Sequence, residues 1–335
     1  MDSIDNCIYT PLGMNIELTN KCPLHCPQCY CSLEGGKNIS FETAAKYIRQ
    51  ASQFGIRHVE LSGGETLCYP YLYELVKLIH SLGLMSSIAI SGWHFTETYL
   101  NGLIESGIDN IFVSLNGPTE EINCLTRDGY CYAIAALQVL QSKKFANVYI
   151  NWVMHNSNAD SLPEMVEIAK KYSVRSIVIL APKPTSKHVL DTFPSYRQLK
   201  NAVSIIRSSP PRSIMVESCF SPLLAMLRET KLFGNLNIGR DMGCGAGKNL
   251  LSVNVDGMLS PCRHLELFES WDSLEGYWNR SDILKKIRKS QEQREKPCVS
   301  CKYSDNCIHC LAINEKINGR LFIGNSICPV AEQEE

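Results

Sequence analysis

The sequence predicts an α/β fold built on a parallel sheet, and three observations carry that prediction. Six short apolar runs recur at 15–19, 58–62, 87–91, 110–115, 149–154 and 176–181. Stretches with helical spacing of apolar residues lie between them, and glycine or proline stands at several of the junctions. Regular alternation of this kind is the pattern of parallel βα units.

Each element has its own local reason. The first run, Asn15 to Thr19, is an apolar strand that leads directly into three cysteines. In 41–54, Phe41, Ala44, Ala45, Ile48 and Ala51 share one helical face, with Ser40 as N-cap and Gly55 as the stop. The run 58–62 ends in Gly63-Gly64-Glu65. Pro70 opens a helix over 70–82 lined by Leu72, Leu75, Val76, Ile79 and Leu82, and Gly83 closes it. Helices over 96–106, 129–143 and 161–172 complete the alternation with the remaining runs. Residues 183–212, rich in Pro, Ser and Lys, are expected to leave the sheet through one more helix. An apolar segment at 213–217 and a helix over 222–232 then bridge to the C-terminal part, which divides the chain into 1–212 and 213–335.

Composition narrows the function classes. The 335 residues suffice for one large α/β domain and a smaller one. A hydrophobic share of 44% and a charged share of 20% are ordinary for a globular protein. A formal net charge of −1 argues against broad nucleic-acid or membrane-surface binding, and no apolar stretch approaches the ~20 residues that span a bilayer. The start, Met1 to Asn6, has two aspartates and no basic residue, unlike a secretory signal. Sixteen cysteines without such a signal indicate metal rather than disulfides, because the cytosol keeps thiols reduced. The expectation is a cytoplasmic metalloprotein.

The cysteines carry the chemistry. Cys22, Cys26 and Cys29, in the run CPLHCPQC, have the spacing C-x3-C-x2-C. Three thiolates hold three irons of a 4Fe-4S cluster, which usually takes four cysteines, so one iron stays open to a small molecule. The alternatives are a zinc knuckle or cysteines that only pack. The triplet followed by Gly63-Gly64-Glu65 at the end of the second strand resembles the radical S-adenosylmethionine (radical SAM) superfamily. The resemblance covers about residues 14–185 and implies a partial (β/α)6 barrel of the TIM type. It also implies that the open iron chelates the amino and carboxylate groups of SAM, which is cleaved reductively to methionine and a 5′-deoxyadenosyl radical.

By the same resemblance, Gly63, Gly64 and Glu65 bind the amino group of SAM through backbone or side chain. The stretch Ser114-Leu115-Asn116-Gly117 with Arg127 resembles the family's Ser-Leu-Asp-Gly…Arg-Gly stretch, so Ser114 and Arg127 would hold ribose and carboxylate, with Asn116 between them. A guanidinium suits a carboxylate because it binds it bidentately. Ser91 and Leu180 take the positions that contact ribose and adenine. Many relatives have an aromatic residue directly before the third cysteine, where this chain has Gln28, with Tyr30 just after it.

A second pattern runs Cys244-x12-Gly257-x4-Cys262, then Cys298-x2-Cys301-x5-Cys307-x2-Cys310 and, seventeen residues on, Cys328. It resembles the SPASM extension of peptide-maturing radical SAM enzymes, which binds two auxiliary 4Fe-4S clusters, with x2 in place of the usual x3 before Cys310. The resemblance gives Cys298, Cys301, Cys307 and Cys328 to the distal cluster and Cys244, Cys262 and Cys310 to the nearer one. A four-cysteine zinc site over 298–310 is the alternative, and it leaves Cys244, Cys262 and Cys328 unexplained. Cys219 is the best candidate for a fourth ligand of the near cluster. It is also a candidate catalytic hydrogen-atom donor or a buried thiol, and an open iron that binds substrate is a further option. Cys7, Cys31, Cys68, Cys124 and Cys131 remain as small buried hydrophobes by default, with Cys68 and Cys124 near enough in sequence to Glu65 and Arg127 to approach a substrate cavity. Trp93, His94 and His155 also stand at strand ends, where packing is the expected role.

The resemblance implies an oxidoreductase with three 4Fe-4S clusters and SAM, acting on a leader-bearing ribosomal peptide to install a cross-link, a dehydrogenation or an epimerisation. An electron donor such as flavodoxin or ferredoxin is implied. Because the first barrel strand comes so early, the leader peptide is expected to bind the barrel or SPASM surface, or to be recruited by a partner protein. Alternatives are a small-molecule dehydrogenase or epimerase of aminoglycoside type, a sulfatase maturase and, outside enzymes, an iron–sulfur electron carrier.

Overall fold

A computed structural model describes residues 10–31, 36–183, 192–228, 243–289, 295–304, 307, 309–321 and 328–330. All six expected strands form: β1 (Gly13–Thr19), β2 (His58–Gly63), β3 (Met85–Ile90), β4 (Asn110–Ser114), β5 (Val148–Val153) and β6 (Ser176–Leu180). Helices α1 (Phe41–Gln53), α2 (Leu72–Ser81), α3 (Glu97–Glu105), α4 (Glu120–Cys124), α5 (Tyr130–Ser142) and α6 (Leu162–Lys171) connect them. The Ser40 side chain accepts from Thr43 N at 3.1 Å and so caps α1. Pro70 stands one residue before the N-cap Tyr71, and α2 begins at Leu72.

Each of β1 to β6 pairs in parallel with the next, which makes the expected run of βα units. The sheet then continues past both ends of that run. After α7 (Tyr196–Ser208), β7 (Ile214–Val216) adds in parallel to β6. At the opposite edge β8 (Leu250–Val253) adds in parallel to β1, and β9 (Leu259–Ser260) folds back antiparallel on β8. The final order is β7-β6-β5-β4-β3-β2-β1-β8-β9, a sheet that runs across residue 212 at both edges. Of the expected helix over 222–232, α8 (Ser221–Arg228) forms and 229–232 lie outside the described residues. The C-terminal part adds α9 (Leu274–Arg280), α10 (Asp282–Arg288) and α11 (Leu311–Asn318).

The core lies between the sheet and its surrounding helices, with Ile16, Leu61, Ile88, Ile111, Val113, Ile150 and Ile177 wholly buried on the strands. One polar link crosses it near the join of the two parts. Asn15 on β1 exchanges hydrogen bonds with Ser62 on β2 at 2.9 and 3.1 Å, and its carbonyl oxygen accepts from Ser252 on β8 at 3.4 Å. Buried polar groups need such partners, so these residues fix strand neighbours as well as pack. No helix among the described residues is long and apolar enough to cross a membrane.

Candidate functional site

The carboxyl ends of β1 to β7 open on one cavity, which includes about 1130 Å³ of space between its walls and at its mouth. Every strand contributes: the Cys22–Cys31 loop after β1, Ser62 to Gly64 from β2, Ser91 after β3, Ser114 and Asn116 from β4, His155 after β5, Leu180 and Lys183 from β6, and Glu217 after β7. Collecting functional side chains at this end is the general habit of parallel barrels.

The cysteine loop is held at both ends. Thr19 closes β1 by accepting from Lys21 N at 3.0 Å and donating to Asn38 Oδ1 at 2.7 Å. Cys29 N donates to Cys26 O at 3.2 Å, which turns the chain between the second and third cysteines. His25 N donates to Asp128 Oδ2 at 3.3 Å and ties the loop to the segment that carries Arg127. Gly63 and Gly64 serve this packing directly. A Cβ on Gly63 would lie 2.2 Å from Thr19 O, and one on Gly64 would lie 2.4 Å from Lys21 O. The two glycines thus bring the β2 turn against the backbone that launches the cysteine loop.

The structure places Cys22, Cys26, Cys29, Gly63, Gly64, Ser91, Ser114, Asn116, Arg127 and Leu180 in this one wall. Glu65 stands behind it. Its carboxylate is buried and accepts from Leu67 N at 3.1 Å, from Ser91 N at 2.8 Å and from the Ser91 hydroxyl, so it locks the β2 turn to the end of β3. Burial raises its pKa. Asn116 likewise ties segments together: its amide donates to Thr126 Oγ1 at 2.9 Å and accepts from Val153 N at 3.1 Å. Cys124 on α4 is exposed and Cys68 is half-buried, and neither joins the wall, whereas Cys31 does and donates to Gly63 O at 3.4 Å.

Several wall groups lack a protein partner. Gln28 Oε1, Arg127 Nε, both ring nitrogens of His155 and Nδ1 of His264 are buried without a hydrogen bond. Orphaned polar atoms at one place in a buried wall fit a polar ligand that would satisfy them. The Cys29 thiol, hydrogen-bonded to Cys31 and near the Arg127 charge, is held at about 6 despite burial, while burial pushes Cys22 up to about 11. The donor set, three thiols beside a cationic and amide-rich wall, fits a 4Fe-4S cluster with one open iron and an amino-acid ligand.

A second, smaller cavity adjoins the first and shares four wall residues with it: Lys183, Glu217, Arg263 and His264. Cys219, Cys244, Cys262 and Cys310 all line it. Hydrogen bonds from Cys310 and from Leu311 N hold Cys244 below the usual thiol range, and Cys262 Sγ accepts from His264 N at 3.4 Å. Among the described residues no three His, Cys, Asp or Glu side chains close on a single metal-ion position. A four-iron cluster instead places each sulfur on a different iron, and four cysteines around one cavity fit that demand. Cys298, Cys301, Cys307 and Cys328 are half-buried, and Cys301 Sγ accepts from Tyr303 N at 3.5 Å.

Polar residues of the shared wall escaped the sequence reading. Lys183 Nζ lies 2.7 Å from Glu217 Oε2 and 3.0 Å from Cys219 Sγ. Arg263 Nη1 lies 3.1 Å from Glu60 Oε1, and its guanidinium sits 5.4 Å from the Tyr30 ring centre, which also meets His264 edge-on. The available signals were position alone: Lys183 and Glu217 follow strand ends, and Arg263-His264 follow Cys262.

Comparison with known proteins is consistent with this geometry. Residues 16–187 match the sequence family described as the Radical SAM superfamily. The chain is 26% identical over 308 residues to the PqqA peptide cyclase of Gluconobacter oxydans (strain 621H), covering 87% of this chain and 82% of that protein. Among solved structures, Streptococcus suis SuiB bound to precursor peptide SuiA superposes with a TM-score of 0.74 at 17% identity, covering 96% of this chain and 76% of SuiB. Native anSMEcpe with bound AdoMet superposes with a TM-score of 0.73 at 17% identity, covering 97% and 96%. The expected α/β fold, with a parallel sheet consistent with a partial barrel, is that of these neighbours.

Proposed function

The chain belongs to the radical SAM superfamily, and from that premise we propose that it removes hydrogen from an unactivated C–H of a ribosomally made peptide and completes an oxidative modification there. The observation that carries this reading is the pair of adjoining cavities, one lined by Cys22, Cys26 and Cys29 and the other by four cysteines, with Lys183, Glu217, Arg263 and His264 between them. The relative named as a PqqA peptide cyclase supports the substrate class.

In this reading Cys22, Cys26 and Cys29 hold the SAM cluster, and Cys219, Cys244, Cys262 and Cys310 hold the near auxiliary cluster. Cys298, Cys301, Cys307 and Cys328 hold the distal one, within a SPASM domain over 213–335. When bound, the first cluster and SAM supply the hydrogen-abstracting radical, and the auxiliary clusters supply an electron sink. Arg127 pairs with the SAM carboxylate, Ser114 offers its hydroxyl to ribose, and Ser91, whose proton goes to Glu65, offers ribose its oxygen as an acceptor from the neighbouring strand end. Gly63 and Gly64 hold the turn that faces the SAM amino group, while Glu65 keeps that turn rigid from behind. Gln28 stands where relatives have an aromatic residue, so Leu180 supplies the apolar contact for adenine. The position of Cys219 beside Cys310 supports a ligand role over that of hydrogen donor, which favours cross-linking or dehydrogenation over epimerisation. A flavodoxin or ferredoxin supplies the initiating electron.

The test is iron content after anaerobic reconstitution, with 5′-deoxyadenosine release and peptide mass read on the same sample. About twelve irons, three clusters of four, reductant-dependent release and a peptide lighter by two hydrogens are expected. Release coupled to a sugar or other small molecule, with every candidate peptide unchanged, would overturn the substrate class.

A further inference from the structure

We propose that Lys183 sets the reduction potential of the near auxiliary cluster, by donating a charged hydrogen bond to the sulfur of Cys219 from the wall between the two cavities. The inference rests on the reading of Cys219 as a ligand of that cluster.

Lys183 follows β6 and points between the two cavities, lining both. Its side chain is 8% exposed, its ammonium lies 3.0 Å from Cys219 Sγ, and Oε2 of Glu217, whose carboxylate also hydrogen-bonds Cys219, lies 2.7 Å away. Glu217 is itself fixed by the sheet, since its carboxylate also accepts from Ala181 N at 3.1 Å and its own N donates to Ile179 O at 2.9 Å. A lysine is rarely so buried unless its charge is used. Glu217 and the Cys219 sulfur take two of its donors, and Ala181 O accepts from the third at 3.4 Å.

The electrostatic consequence has a definite sign. A 4Fe-4S cluster with four thiolates carries negative charge, and adding an electron adds one more in a buried site where charges interact strongly. A cation in contact with a ligand sulfur stabilises the reduced form, and hydrogen bonds to sulfur and local charge are among the factors that set cluster potentials. Arg263 adds a more distant charge near Cys262, but its own hydrogen bonds go to Glu60 at 3.1 Å and His264 at 3.5 Å, whereas Lys183 reaches a sulfur directly. Glu217 opposes the effect through its charge while it holds the ammonium in place. Lys183 is therefore a positioning and tuning residue. It makes the near cluster a better acceptor of the one electron that the substrate radical gives up as a proton leaves and the new bond forms.

The experiment is a redox titration of the full chain, reconstituted anaerobically, followed by the electron paramagnetic resonance of the reduced clusters with iron content measured alongside. Cys26→Ala serves as the background, so that the SAM cluster does not contribute, and the signal that Cys219→Ala alters is assigned to the near cluster. Lys183→Met in that background is expected to keep its iron. The reduced-to-oxidised ratio of that signal at fixed poise should fall by about tenfold, equivalent to about 59 mV for a one-electron couple. Glu217→Gln should move the same signal in the opposite direction, and Lys183→Arg should leave it close to the parent. Full iron with an unshifted signal in Lys183→Met overturns the proposal while the ligand reading stands. If Lys183→Met loses the cluster, an unshifted Glu217→Gln signal overturns it instead. Unchanged iron and unchanged signals in Cys219→Ala overturn the ligand reading, and the role of Lys183 falls with it.

Discussion

Arg127 illustrates how a single side chain is prepared for a ligand. Its backbone is pinned by its own N donating to Asn123 O at 2.8 Å, while its buried Nε has no protein partner. Arg127→Ala is expected to weaken SAM binding about tenfold or more, since a charge-assisted bond contributes about 1.5–3 kcal/mol. Equilibrium dialysis with labelled SAM would check it, and Arg127→Lys should recover only part of the loss because the bidentate fork is gone. His155 gives a pH signature at the same scale. Burial lowers its pKa to about 4 from an ordinary value near 6.5, so the folded state favours the neutral ring. The unfolded chain therefore takes up the proton first, and stability is lost progressively as pH falls below the ordinary value. Between pH 7 and pH 5 the parent should lose about 2 kcal/mol more unfolding free energy than His155→Gln. Parallel denaturation curves for the two proteins over that range would sink the assignment.

At the scale of elements, the β2 turn and the cysteine loop behave as one unit. Gly64→Ala would set a methyl group 2.4 Å from Lys21 O, with backbone on both sides of the clash. The expected cost is about 1–3 kcal/mol, read as a lower Tm together with poorer iron loading of the first cluster. A variant with normal loading and Tm would show that the loop does not depend on this contact. The six strands and their helices were legible in the sequence because their apolar spacing and their Ser, Gly and Pro boundaries are local signals. Strands β8 and β9 were not, since Leu250–Val253 and Leu259–Ser260 are too short to show a period. The glycines of the second strand were legible as special, but their reason was not: they admit the backbone of β1, which only the folded register brings near. The cavity wall was legible where a motif marked it, as at Cys22, Cys26, Cys29 and Arg127. Lys183 and Glu217 carry no motif and meet only through β6 and β7 pairing.

Across the whole molecule, the two cysteine cavities share a wall, and their functions should still separate on mutation. Cys22→Ala, Cys26→Ala or Cys29→Ala should each abolish SAM cleavage while leaving about eight of about twelve irons, as measured by 5′-deoxyadenosine and iron assays. Cys301→Ala should spare SAM cleavage more than product formation, and equal loss of both would argue against separate roles. The pairing of β8 with β1 has a different kind of consequence, one that concerns order in time. During synthesis, strand β1 is made long before its outer partner, which arrives only with Leu250 to Val253. Until then one edge of the nascent sheet offers unpaired amide and carbonyl groups, the template on which other chains add strands. A ribosome-stalled or truncated chain ending before residue 250 should therefore aggregate through β1, while one extended past β9 should not, and the early barrel is not a safe resting point on the way to the finished enzyme.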